Sequence, residues 1–183
     1  GTCFGIGNLI PGQPGDQIVH AINLPDADTG ALQGTLVVVG GHEAAEVPLG
    51  KIVLPSLVDS STLCWAIDDL TGDGLDEILV SQGETSLYLS DHAVLSDGVR
   101  VWTEPVGQTT NYRARSATAL DITGNGKRDL LLGSPEDLGG RGSVAILFGR
   151  DPAALWGDLG PDLWVDGADE SQDGLGHLVC GLA

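Results

Sequence analysis

The sequence predicts an all-β array of short repeated units, on three observations. The stretch Asp69-Leu70-Thr71-Gly72-Asp73-Gly74-Leu75-Asp76-Glu77 runs straight into the apolar Ile78-Leu79-Val80. It returns without a gap as Asp121-Ile122-Thr123-Gly124-Asn125-Gly126-Lys127-Arg128-Asp129, followed by Leu130-Leu131-Leu132. The offset is 52 at both ends (121 − 69 and 129 − 77), and a fixed period of this order marks repeat arrays. The 28 glycines and 9 prolines imply frequent turns, and the apolar runs between them are of strand length.

Composition bounds the rest. A chain of 183 residues that is 42% hydrophobic folds around a sizeable core. Lys and Arg number 8 against 26 Asp and Glu, a net charge of −18. Such a surface repels nucleic acid and anionic lipid and suits cations, besides conferring solubility. No run of about 18 apolar residues exists to span a membrane as a helix. Cys3, Cys64 and Cys180 are too few and too scattered for a disulfide framework or a zinc site. Cys64 and Cys180 sit in apolar runs and read as buried thiols, with a Cys3–Cys180 or Cys3–Cys64 bridge left open. Gly1 comes first and methionine is absent, which points to a processed chain or a piece of a longer one.

In chain order, the first unit (1–59) opens on the apolar, glycine-rich run Cys3–Ile10. Pro11–Asp16 then occupies the place of the acidic loop but keeps only Asp16, so this copy is expected to hold no metal. Residues 23–34 read as an excursion, Thr35–Val39 as a buried strand and Lys51–Leu54 as the outer strand. His42, Glu43 and Glu46 read as a solvated loop. The second unit (60–112) begins at Leu63–Ile67, enters the first acidic loop, and continues with strands at 78–81, 86–90 and 99–102. The third (113–170) repeats the order: 117–120, the second acidic loop, 130–132, a loop at 133–142, then 143–148 and 162–165, with a helical turn at 153–156. Residues 171–183 read as the first strand of a further unit.

The acidic loops carry the chemistry. Oxygen-bearing side chains alternate at positions 1, 3, 5 and 9, and glycine at position 6 permits the sharp bend. Ca²⁺ takes six to eight oxygens at about 2.3–2.6 Å, and such a loop supplies most of them. A plain hairpin turn explains one Asp-Gly loop, but gives no reason for the oxygen pattern to recur in register.

Phe4-Gly5, Leu175-Gly176, the two loops, Gly133-Ser134-Pro135 and Gly142-Ser143-Val144 together resemble the FG-GAP repeat of the integrin alpha-subunit β-propeller. The resemblance is strongest over 60–150 and weakest over 1–59. It implies blades of four antiparallel strands, with calcium loops on one face as structural struts and recognition on the opposite face. Carried over by position, the ligands are Asp69, Thr71, Asp73, the Leu75 carbonyl and Glu77 in the first loop. In the second they are Asp121, Thr123, Asn125, the Lys127 carbonyl and Asp129. Thr at the third position and Glu77 depart from the family pattern. Three carboxylates in the first loop against two in the second, with Lys127 and Arg128 nearby, predict two Ca²⁺ sites, the second weaker. Family propellers have more blades than three units supply. The chain is therefore expected to belong to a longer protein, or to self-associate to complete a ring.

For an enzyme, a nucleophile–base pair or a carboxylate pair in a pocket is needed. His20, His42, His92 and His177 lie in unrelated contexts, and the obvious acids belong to the loops. The expectation is a non-enzymatic, calcium-stabilised module for recognition, adhesion or assembly, with a protein or glycan ligand. It is expected in an extracellular, cell-surface or periplasmic setting, where calcium is plentiful. The alternatives are a lectin-like propeller using Trp65, Trp102, Trp156 or Trp164, and a non-catalytic propeller domain of a secreted hydrolase.

Overall fold

The computed structural model describes residues 4–13, 15–40, 49–54, 57–70, 72–82, 84–89, 99–100, 114–149, 162–168 and 175–176. Within them the chain forms three four-stranded antiparallel sheets. The first holds β1 (Phe4–Gly7), β2 (Gln17–Pro25), β3 (Leu32–Gly40) and β4 (Gly50–Val53). The second holds β5 (Leu63–Ile67), β6 (Glu77–Gln82), β7 (Glu84–Leu89) and β8 (Val99–Arg100), and the third β9 (Ser116–Leu120), β10 (Asp129–Ser134), β11 (Ser143–Leu147) and β12 (Leu163–Asp166). Strands lie in chain order within each sheet, so each is an up-and-down meander. The short α1 (Asp137–Gly140) is no regular helix, since Leu138 and Gly139 have φ of 52° and 73°. Among the described residues no helix is long and apolar enough to cross a membrane.

Period-two alternation sets the packing. In the first sheet Val19, Ala21, Leu36, Val38 and Ile52 point one way and pack on Cys64, Ile78 and Val80 of the second. The opposite face of the second sheet, with Ile67 and Leu79, packs on Leu130, Leu132, Ala145 and Leu147 of the third. The core therefore lies between successive sheets. Burying each of Leu36, Ile78, Leu79, Leu130 and Leu132 contributes on the order of 1.5–3 kcal/mol. Trp65 and Trp164 are half-buried against the second cluster. Glycine lets the first two sheets approach closely. A Cβ on Gly5 would run into the Ala66 amide nitrogen and come within 2.8 Å of the Trp65 carbonyl carbon.

Two expectations are corrected. Residues 23–34 are no excursion: β2 and β3 stay paired through Asn23↔Gly34, Leu24↔Gln33 and Pro25↔Leu32. Asp26 closes the turn. Its amide donates to the Ala31 carbonyl (2.8 Å), and its carboxylate accepts from the Thr29 amide (2.8 Å), the Thr29 hydroxyl (2.7 Å) and Gln33 Nε2 (2.8 Å). Cys64 is buried but is no free thiol; it is disulfide-bonded. Cys3 and Cys180 lie outside the described residues, as do His42, Glu43, Glu46, Trp102, Trp156 and the expected helical turn at 153–156. Of the expected strand at 171–183, Leu175 and Gly176 are described; Leu175 bridges Gly142 in parallel.

Candidate metal centre

Both acidic loops join the first strand of a sheet to the second, and the same hydrogen bonds hold each in shape. At position 1, Asp69 accepts from the amides of Gly72 (2.6 Å), Asp73 (3.1 Å) and Gly74 (2.8 Å). Its counterpart Asp121 accepts from Asn125 (3.0 Å) and Gly126 (2.7 Å). At position 5, Asp73 and Asn125 each accept from the amide two residues on, Leu75 and Lys127, both at 2.8 Å. At position 9, Glu77 accepts from the Leu70 amide (2.5 Å), and Asp129 from those of Ile122 (2.9 Å) and Thr123 (3.0 Å). The glycines at positions 4 and 6 have φ of 78° and 88° in the first loop and 71° and 81° in the second. Left-handed backbone at both points turns the loop, and glycine adopts it without a Cβ penalty.

In the first loop these bonds gather charge. Carboxylate oxygens of Asp69, Asp73 and Glu77 lie within 4.8 Å of one another. Oxygens about 2.3–2.6 Å from one cation lie at most about 4.6–5.2 Å apart, so the three fit a common centre. Glu77 is fully buried while Asp73 is exposed, so the cluster spans from interior to solvent. A buried carboxylate beside two others is costly unless a positive charge or further hydrogen bonds compensate it. Thr71 lies outside the described residues, and the Leu75 side chain is buried.

The second loop keeps the scaffold with less charge. Asn125 replaces Asp73, and the exposed Thr123 hydroxyl reaches Asp121 Oδ1 at 3.4 Å. The fully buried Asp129 spends its other oxygen on the Gly149 amide, at 2.6 Å. The Asp121 carboxyl is held below its ordinary range by the Gly126 amide foremost, with burial opposing and the Asn125 and Gly124 amides adding.

Three features lie outside what carboxylate matching finds. Gln17 opens β2 as Glu77 opens β6 and Asp129 opens β10. Its buried side-chain oxygen accepts from the amides of Leu9 (2.7 Å) and Ile10 (2.8 Å), so it holds position 9 of the first copy, the one expected to hold no metal. Asp16, the residue kept in the sequence reading, is exposed. Aligning on the apolar residues after the loop (Ile18-Val19, Ile78-Leu79, Leu130-Leu131) finds Gln17. Next, position 8 reaches back to the preceding sheet. Asp76 accepts from the Asn8 amide (2.9 Å) and donates its own amide to the Asn8 carbonyl (2.8 Å), while Asn8 Nδ2 donates to the Gly74 carbonyl (2.7 Å). Burial raises the Asp76 carboxyl above its ordinary range, helped by Asp68, Asp16 and Asp69, with the Asn8 amide opposing. Finally, Arg128 at the same position of the second loop pairs with Asp68 at 2.7 Å.

A comparison with known protein families finds no match, and neither does a comparison with curated protein sequences.

Proposed function

We propose that this chain is a calcium-stabilised β-propeller module, its three sheets acting as blades and its two acidic loops as Ca²⁺ struts. The module serves extracellular recognition, adhesion or assembly and carries no catalytic centre. One contrast supports this reading above all. Gln17 holds position 9 as a neutral amide, so the turn needs no charge there, yet Glu77 and Asp129 place buried carboxylates at the same point. In the first loop that carboxylate converges with two others, as a hard cation requires. The position-8 contacts give such a strut something to brace, because each loop is tied to the sheet before it. The disulfide at Cys64 favours an oxidising compartment, where calcium is also plentiful. The half-buried setting of Trp65 and Trp164 gives the lectin alternative no exposed platform at those two residues.

Calorimetric Ca²⁺ titration of the chain and of its Asp69→Ala and Asp121→Ala variants tests the assignment. Two binding events are expected, the tighter abolished by Asp69→Ala and the weaker by Asp121→Ala. Tighter binding at 121–129, or no heat in the unmodified chain, overturns it.

A further inference from the structure

Cys64 is disulfide-bonded, and the chain offers it two other cysteines, Cys3 and Cys180. The strands on either side decide between them. β1 lies on β5 and runs the same way, toward the first acidic loop. A Cβ on Gly5 would stand 2.8 Å from the Trp65 carbonyl carbon, and one on Gly7 would stand 2.8 Å from Ala66 Cβ. One residue further, Asn8 already holds Asp76 and Gly74 of the loop. Gly5 and Gly7 thus turn one face of β1 to β5, as residues two apart do. Ala66 Cβ meets that face, so Cys64, two residues back, points to the same side. There it is 4% exposed, in one cluster with Val19 and Ala21.

Two steps back from Gly5 along β1 comes Cys3, and two steps back from Trp65 and Ala66 come 63 and 64. The β1–β2 register agrees. It sets Gly5 against Val19 and Phe4 against His20, so one further step sets position 3 against Ala21, a neighbour of Cys64 in the cluster. The two strands also lie close enough. A Cβ on Gly5 would stand 3.1 Å from the Trp65 Cα, an approach suited to the about 4.4–6.8 Å that a disulfide spans between Cα atoms. Cys180 is out of reach. It follows Gly176 by four residues, which extend at most about 14 Å. Gly176 sits on Gly133 and Ser116, on the face of the third sheet turned away from Leu130 and Leu132. The third and second sheets both stand between that face and the cluster holding Cys64, and packed sheets lie about 10 Å apart.

We infer that Cys64 is bonded to Cys3, and that this bond moors β1, and through Asn8 the first acidic loop, to the second sheet. β1 is then fastened at both ends, by sulfur before Gly5 and by the Asn8 hydrogen bonds after Gly7. Forming the bond takes two protons and two electrons from the thiol pair, which a disulfide-class oxidant accepts by thiol–disulfide exchange. The bond joins positions 61 apart (64 − 3), a long loop whose closure restricts the unfolded chain strongly. The inference does not rest on calcium.

Peptide mapping of the full chain, alkylated without reduction, tests the pairing. The expected result is a linked peptide pair carrying Cys3 and Cys64; a Cys64–Cys180 link, or an unlinked Cys64, overturns the inference. Cys3→Ala and Cys180→Ala then test the mooring, with all samples in chelator so that the outcome stands apart from the calcium reading. Cys3→Ala is expected to lower the melting temperature by roughly 5–15 °C. Hydrogen exchange read by NMR at the Asn8 and Asp76 amides is expected to quicken about tenfold or more in Cys3→Ala, and to stay unchanged in Cys180→Ala. Exchange at those amides that ignores Cys3→Ala, or quickens equally in Cys180→Ala, overturns the mooring.

Discussion

At the residue scale, position 9 of the loop separates structure from charge. Gln17, Glu77 and Asp129 all accept an amide hydrogen at the mouth of their loop, and only the last two carry charge. Glu77→Gln keeps the acceptor for Leu70 and removes the charge. In chelator the variant is expected to melt at or above the temperature of the parent, since the repulsion of this carboxylate by those of Asp69 and Asp73 is gone. In excess Ca²⁺ it is expected to melt lower. Equal melting in both conditions would mean that no cation uses this charge. A second residue reports on pH. The Asp26 carboxyl is lowered by the Thr29 hydroxyl first, and then by the Thr29 amide. A carboxyl lowered in the folded state contributes stability above its unfolded value of 3.8, which is lost as pH falls through the folded value. Asp26→Asn is therefore expected to melt below the parent at pH 7 and to converge with it below pH 3.8. A gap that persists at low pH contradicts the charge-based account.

At the scale of elements, most strands were legible and the contacts between sheets were not. Apolar runs placed Leu63–Ile67 as β5, put 130–132 inside β10 and put 143–148 over β11 with one residue to spare, because a strand buried on both faces reads as a continuous hydrophobic run. Pro25, Asp26, Asp28 and Gly30 made 23–34 look like a loop, yet only its middle turns; Pro25 ends β2 at the turn and costs little there. The repeat itself is less regular than its loops. Glu77 faces Ile67 across nine intervening residues (68–76), whereas Asp129 faces Leu120 across eight (121–128), a slip that loop alignment hides. Asn8 with Asp76, and Arg128 with Asp68, lie 60 or more positions apart and carry no local pattern. The same holds for Gly5, whose worth shows only against β5. Gly5→Ala is expected to cost about 1–3 kcal/mol by chemical denaturation, the range for overpacking. Gly12→Ala, where a Cβ meets open space at φ 73°, costs only the backbone strain, about 1 kcal/mol. Equal costs would mean that the first two sheets are not packed this closely.

At the scale of the whole molecule, three sheets share two cores, so the stability of each depends on its neighbour. The acidic loops sit at those junctions and are tied across them, so an ion bound there would stabilise the array rather than a single turn. The chain's −18 charge works in the same direction, since uncompensated carboxylates repel and a divalent ion relieves them locally. The most direct test is the thermal melt of the unmodified chain in chelator and in Ca²⁺ at about 100 times its dissociation constant. One occupied site adds about 2.7 kcal/mol there, or roughly 5–10 °C in a chain of this length. The account predicts that rise with Ca²⁺, reversed by chelator and absent with Mg²⁺ at the same concentration; identical melting curves in chelator and Ca²⁺ would contradict it.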